Sequence, residues 1–308
     1  GRATQINIRG FAGDFSTATL NGREQASTGD NRGVEFDQYP SELLSQVVVY
    51  KTPDAGLVGQ GLSGTVDLQT VRPLSFSERV MAVNARYDQN KIRDKSESGY
   101  RFSATYLDQF MDNRLGLMLA VSKMDSPQPG FQNEVWGWTG GPSGTTVLGG
   151  GKLYKFDNTH ERTGVAATVQ FKPNDVYEGT LDWFHSDFDK TEIKTGMEFG
   201  TVWGTGVLRP GYTVAGNNTI VKSTWDNVHP VIRMDSNPID DTLDSVGFNN
   251  KFKINDNWTL NADLSASRVK RKFRVLETYA GVATNGGATT LEASLDPSGN
   301  YYNYVLGQ

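Results

Sequence analysis

The sequence predicts a mainly β protein in two unequal parts. Residues 1–73 read as a small globular α/β domain, and residues 74–308 as the N-terminal portion of a transmembrane antiparallel β-barrel. Three observations carry this. From Pro73 onward apolar residues recur every second position over long spans, as strands with one face in lipid require. Short polar turns alternate with long polar links, as they do when one rim of a barrel is tight and the other carries loops. The first part lacks that pattern and is instead a compact helix–strand–turn–strand block.

That block is clearest between Gln38 and Pro73. Pro40 suits the first turn of a short helix, where its fixed φ fits and its missing N–H is not needed. Leu43 and Leu44 make one side of that helix apolar. The β-branched run Val47-Val48-Val49 follows, Lys51-Thr52-Pro53 ends it, and Thr65-Val66-Asp67-Leu68 forms the next strand beyond a Gly-rich turn segment. Further strands are expected near Gln5–Arg9 and Thr17–Asn21, with a polar loop over Gln25–Phe36.

Seven two-faced strands are expected after Pro73. Met81, Val83, Ala85 and Tyr87 share a face, as do Tyr100, Phe102, Ala104 and Tyr106. Leu115, Leu117, Leu119 and Val121 oppose Gly116, Met118, Ala120 and Ser122, and Val165, Ala167, Val169 and Phe171 oppose Ala166, Thr168 and Gln170. Leu181 and Trp183 mark a less regular fifth strand, Val246, Phe248, Phe252 and Ile254 a sixth, and Trp258, Leu260, Ala262 and Leu264 a seventh.

Turns at Met111-Asp112-Asn113, Pro173-Asn174-Asp175 and Asn255-Asp256-Asn257 are short, whereas Asn90–Ser98, Asp125–Glu161 and roughly Asp189–Thr242 read as long loops. Phe110, Phe171, Tyr177 and Trp258 lie at the short-turn ends, where an interfacial aromatic girdle falls. A soluble sandwich also alternates apolar and polar residues, but does not segregate short and long connections by rim. Seven strands do not close a wide barrel, and an open sheet in lipid leaves backbone groups unsatisfied. The chain therefore reads as a fragment that stops inside a loop after Tyr304.

Composition narrows the function classes. The 308 residues contain no cysteine, which removes disulfides and thiolate metal sites. A net charge of −5 gives no support for nucleic-acid binding. Negative mean hydropathy looks soluble, but alternation hides the apolar residues of a membrane barrel. No run approaches the ~20 apolar residues of a spanning helix. No signal peptide is visible, and the start reads as missing sequence.

Together with Ile8-Arg9-Gly10-Phe11 and Leu20-Asn21-Gly22, the stretch from Arg32 through Val58 resembles the plug of a TonB-dependent outer-membrane transporter, most closely the branch linked to oligosaccharide uptake. One departure is Lys51-Thr52-Pro53 where many members have Arg-Gly-Pro, which replaces a bidentate cation by a point charge. The resemblance implies a plug inside a barrel of about 22 strands when complete, lodged in the bacterial outer membrane with long loops outside and the plug reachable from the periplasm. It implies TonB, with its inner-membrane energising complex, as partner, and a small oligosaccharide as substrate. Uptake of a ferric siderophore or a vitamin, and a non-transporting surface barrel bound by cells or phages, stay open as alternatives. No enzymatic activity, cofactor or metal site is expected.

The resemblance also points to residues. Asp14, Phe15 and Ser16, with Asp30, Asn31 and Arg32 of the polar loop, are candidates for the substrate floor. Arg9 and Lys51 are candidates for pairing with barrel carboxylates to hold the plug shut. From the residues themselves, Trp136, Trp138, Trp203 and Trp225 in the long links suit the C–H faces of sugars, although rings that merely pack loops together explain them about as well. Iron chelates use aromatics too. Asp235, Asp240, Asp241 and Asp244 fit no calcium-loop spacing. Arg268, Lys270, Lys272 and Arg274 continue the outward face of the last strand above Leu264 and suit the phosphates of lipopolysaccharide in the surrounding outer-membrane lipid.

Overall fold

The structure, a computed structural model, describes residues 6–29, 35–52, 54–58, 61–93, 95–281 and 287–307, without the side chain of Asp37. Strands β1 (Ser16–Leu20), β2 (Arg23–Glu24), β3 (Leu44–Tyr50) and β4 (Gly64–Thr70) form one sheet in the order β2-β1-β4-β3. β1 runs parallel to β4, and β3 pairs antiparallel on its other side. The helix expected after Pro40 is a single 3-10 turn, Ser41–Leu43. The β-branched Val47–Val49 run favours extension, and the chain enters β3 already at Leu44. Ile6–Arg9, expected as a strand, is irregular, and Gln5 lies outside the described residues.

The wall is an antiparallel sheet of long strands: β5 (Val80–Ile92), β6 (Lys95–Phe110), β7 (Leu115–Asp125), β8 (Gln128–Gly140), β9 (Thr146–Phe171), β10 (Tyr177–Gly200), then, after three strands described below, β14 (Val231–Lys253) and β15 (Thr259–Phe273). Its path is β5-β6-β7-β9-β10-β14-β15, with β8 pairing the upper part of β9. All seven expected strands are on this path. The outward face carries the apolar residues named above, among them Met81, Val83, Leu119, Leu181, Trp183, Phe248 and Leu264, all exposed. The inward face is not the polar lining of an open pore. Leu107, Met118, Ala120, Ala166, Phe184 and Leu243 form one buried cluster with Ile8, Ala18, Leu20, Tyr39, Leu43, Val66 and Leu68 of the first sheet. Those wall positions are apolar because protein covers them.

The three long loops are not loops. Asn90–Ser98 is a tight hairpin whose strands run to Ile92 and from Lys95. The links 125–161 and 189–242 are mostly strand, since β9, β10 and β14 extend for 26, 24 and 23 residues. In these extensions successive residues are alike in burial, fully buried over 147–151 of β9 and half-buried over 190–198 of β10, so the alternation that marks a half-buried strand fades there. Above the wall stands a third sheet of β11 (Val207–Leu208), β12 (Thr213–Val214), β13 (Ile220–Val228), β17 (Thr289–Leu295) and β18 (Tyr302–Leu306), while β16 (Tyr279–Gly281) pairs with β14. The tyrosine-rich segment expected inside a loop is thus strand β18. Among the described residues no helix is long and apolar enough to cross a membrane.

Candidate functional site

The seat where the first sheet meets the wall is built from a two-residue turn. Asn21 and Gly22 both have positive φ, 55° and 78°, as the tight turn joining β1 to β2 demands. The Asn21 side chain accepts from the Thr70 backbone N–H at 2.9 Å, and the Gly22 N–H donates to Asp67 Oδ1 at 2.8 Å. Pinned to β4 in this way, the turn projects Arg23 onto the wall.

Arg23 meets two wall carboxylates. Its Nε and Nη2 donate to Oδ1 and Oδ2 of Asp263 on β15, both at 2.8 Å, and its Nη1 donates to Asp182 Oδ2 on β10 at 2.6 Å. Arg72, just past β4, donates to the other oxygen of Asp182 at 2.5 Å, joined by the Thr168 hydroxyl at 3.0 Å. The Asn249 amide completes Asp263 at 2.9 Å. Two guanidinium groups and two carboxylates make a charge-balanced square, with Arg23 and Asp182 nearly buried. The carboxylates raise the Arg23 pKa further against the opposing cost of burial. A cleft of about 250 Å³ opens beside the square, lined in part by Arg72, Glu178 and Asn249.

Three wall glycines make room for this seat. A Cβ on Gly247 of β14 would lie 2.4 Å from the Arg23 guanidinium, one on Gly164 of β9 2.5 Å from Pro40, and one on Gly116 of β7 2.9 Å from Leu74. Around them Tyr39 stacks on Phe184 with ring centroids 5.5 Å apart. The Ser186 hydroxyl donates to the Gln38 carbonyl at 2.9 Å, and Glu42 lies 3.8 and 3.9 Å from Arg101 and Arg162. Near β15, Ala26 N–H donates to Ser267 Oγ at 2.9 Å.

Arg9 and Lys51 are exposed and take part in no described ion pair; the described pairs from this sheet to the wall run through Arg23, Arg72 and Glu42. Sequence reading quoted Leu20-Asn21-Gly22 but passed over Arg23. The signal was there, since Asn-Gly marks a tight turn and the next side chain is a cation.

Of the expected floor residues, Asp14 and Phe15 are exposed, with Phe15 edge-on to Phe11 at 5.7 Å. Ser16 is buried and donates its hydroxyl to the Gly13 carbonyl at 2.8 Å. Asp30, Asn31 and Arg32 lie outside the described residues. The four tryptophans do not act alike. Trp225 is 1% exposed in the core of the outer sheet, its Nε1–H bonded to Ser223 Oγ at 3.0 Å. Trp136, Trp138 and Trp203 are exposed; Trp203 lies against Gly137 and Gly149, Trp136 against Gly150, and Trp138 tilts on Tyr302. The aspartates considered for calcium split between faces. Asp235 and Asp241 are buried inward, while Asp240 and Asp244 face outward.

Residues 1–66 match the model of the TonB-dependent Receptor Plug Domain family. A search of curated proteins found no match. The chain is similar to a solved structure of a mutant ferric enterobactin receptor (PfeA) from Pseudomonas aeruginosa in complex with enterobactin, at 11% identity and a TM-score of 0.33, covering 94% of this chain and 55% of that one. It is also similar to the siderophore receptor PiuA from Acinetobacter baumannii, at 11% identity and a TM-score of 0.32, covering 96% of this chain and 60% of that one. The chain spans little more than half the length of these structures.

Proposed function

We propose that this chain is the plug domain and first seven wall strands of a TonB-dependent outer-membrane transporter that imports a small solute. The observation that carries the reading is the charge-balanced square of Arg23, Arg72, Asp182 and Asp263, which seats a domain matching the plug family against a sheet whose far side is apolar. The seat combines hydrogen-bonded ions beside a cleft with a shared apolar cluster, so displacing the plug requires work against both. Solute bound on the outer side favours one plug position only through differential affinity for it. TonB, drawing on the inner membrane, would then displace the plug.

Two substrate classes are carried forward. The exposed rings of Trp136, Trp138 and Trp203 support an oligosaccharide. A ferric siderophore is the second reading, the similar solved structures being siderophore receptors by name.

Residues 1–308 contain no cysteine, and a double variant A26C/S267C in the full-length protein, compared with each single variant, tests the mechanism. Oxidation is expected to stop TonB-dependent uptake and reduction to restore it. Uptake that continues with the crosslink formed would exclude plug displacement at this seat. Growth of a deletion strain on oligosaccharides, compared with growth under iron limitation, chooses the substrate class.

A further inference from the structure

Cations of the upper wall stand opposite carboxylates on both faces. Outward, the exposed Arg268 and Lys272 of β15 are in register with Asp244 and Asp240 of β14. Inward, Arg101 and Arg162 lie against Glu42, and Arg271 against Asp241. Higher up, Lys194 and Arg233 share Asp235 at 2.7 and 2.9 Å, Lys152 meets Glu134 at 3.1 Å, and Lys95 meets Asp157. The rings of Tyr154 and Tyr279 cover the Lys194 and Arg233 cations at 4.7 and 4.0 Å. Lys190 has no ion pair among the described residues.

Between these pairs runs a row of amides. Phe184 on β10 and Leu243 on β14 pack against the plug, and side chains return to the same face of a strand every second residue. Glu192 and Asn237 therefore look inward higher up the same two strands, as register partners. Asn158 on β9 is the partner of Glu192 on its other side, and Gln128 on β8 the partner of Asn158. At about 4.8 Å per strand the four side chains span about 14 Å.

Hydrogen bonding within the row is incomplete. The Asn237 amide donates to Glu192 Oε1 at 3.3 Å. Among the described residues, the Oδ1 atoms of Asn158 and Asn237 are both buried without a partner. A buried acceptor in that state is costly, and the broad terminal torsion of asparagine lets it turn toward a donor in the lumen. At the β8 end, Asn90, Ser126 and Gln128 help line a cavity of about 570 Å³, within the size range of solute sites. Phe156, two positions along β9 from Asn158, lies beside Gly130, and Trp136 lies over Gly150 further up that face.

We propose that Gln128, Asn158, Glu192 and Asn237 form a subsite for a short neutral oligosaccharide laid across the strands, its hydroxyls held by the amides and the carboxylate and an apolar sugar face resting on Phe156. The inference rests on the importer reading given above. The chemistry of the row chooses the solute. Each amide offers a donor and an acceptor, as a sugar hydroxyl does. An anionic ferric chelate needs unneutralised cations, and here the inward cations other than Lys190 already face carboxylates.

The test is solute binding by the full-length protein purified from outer membranes. The probes are a panel of neutral oligosaccharides and a panel of ferric catecholate and hydroxamate chelates. At least one oligosaccharide is expected to bind, and N158A/N237A to weaken it about tenfold or more, while K190Q leaves it unchanged. Because the solute is uncharged, wild-type affinity should change less than about twofold between dilute and concentrated salt. That measurement needs no variant, so it decides even where N158A/N237A fails to fold. Absence of oligosaccharide binding, unchanged affinity in a folded N158A/N237A, or a strong loss of affinity on adding salt overturns the proposal. Uptake by cells separates the two failures. TonB-dependent uptake of a ferric chelate without sugar binding overturns only this subsite, whereas absence of TonB-dependent uptake for either panel overturns the importer reading and this one with it.

Discussion

Arg23 and Asp263, 240 residues apart in the chain, meet as a two-pronged ion pair with both contacts at 2.8 Å. One partner belongs to the second strand of the plug and the other to the last wall strand of this chain. A fork matching both carboxylate oxygens fixes orientation as well as distance. The plug is therefore held in one rotation against the wall rather than loosely stoppering it.

Removing Arg23 leaves Asp182 and the one-third-exposed Asp263 each short of a partner, which costs about 1–3 kcal/mol. R23A is expected to loosen the plug, raising its susceptibility to protease and lowering the urea concentration that extracts it. R23K, which keeps the charge but loses the fork, should fall between R23A and the wild type. An R23A protein as resistant as the wild type would show that the square adds nothing to plug seating.

G247A is expected to act on the same seat without touching any charge. The new methyl would stand 2.4 Å from the guanidinium, and overpacking of this kind costs about 1–3 kcal/mol. G140A, whose added methyl meets nothing within 4 Å, should leave the plug as it is. The comparison is read by urea extraction of the plug in the two variants.

Trp225 and Trp203 should part company on truncation. Trp225 fills the core of the outer sheet with Ile220, Val228, Leu291 and Tyr302, so W225A is expected to cost about 3–5 kcal/mol and to open that sheet to surface protease. W203A, removing a half-exposed ring, should leave protease resistance intact and change only solute binding. Equal protease sensitivity in the two variants would refute the assignment.

The outer sheet should also respond to alkali. Tyr302 donates its hydroxyl to the Ile220 carbonyl at 2.9 Å, and burial pushes its pKa up to about 12 from 10.0. A group whose folded pKa is raised contributes stability that is complete below the unfolded value and disappears as pH rises through the folded one. The sheet is expected to weaken between about pH 10 and pH 12, with phenolate absorbance appearing as protease resistance is lost. In Y302F that alkaline loss should be smaller. A Tyr302 phenolate that forms near pH 10 with the sheet intact would contradict this.

Legibility in the sequence follows how locally each feature is specified. The wall strands were readable because lipid on one face imposes a period of two, and Leu115 through Val121 or Trp258 through Leu264 show it in a few residues. The upper reaches of β9, β10 and β14 were read as loops because no single solvent bathes one face, leaving cross-strand pairing to hold them. Trp225 looked like its exposed neighbours, since a ring's surroundings are set by β13 together with β17 and β18, and its partner Leu291 on β17 lies 66 residues further along the chain.

By itself the sequence determined the plug's strand cores, the seven two-faced strands and the face each turns outward, because these depend on propensity and on a repeat spanning adjacent residues. Only the tertiary structure decided that Arg23 and Arg72 meet Asp182 and Asp263, and that Gly116, Gly164 and Gly247 are seats. Such relations depend on register between distant strands, and no local pattern of residues encodes which positions will face each other across the closed interface.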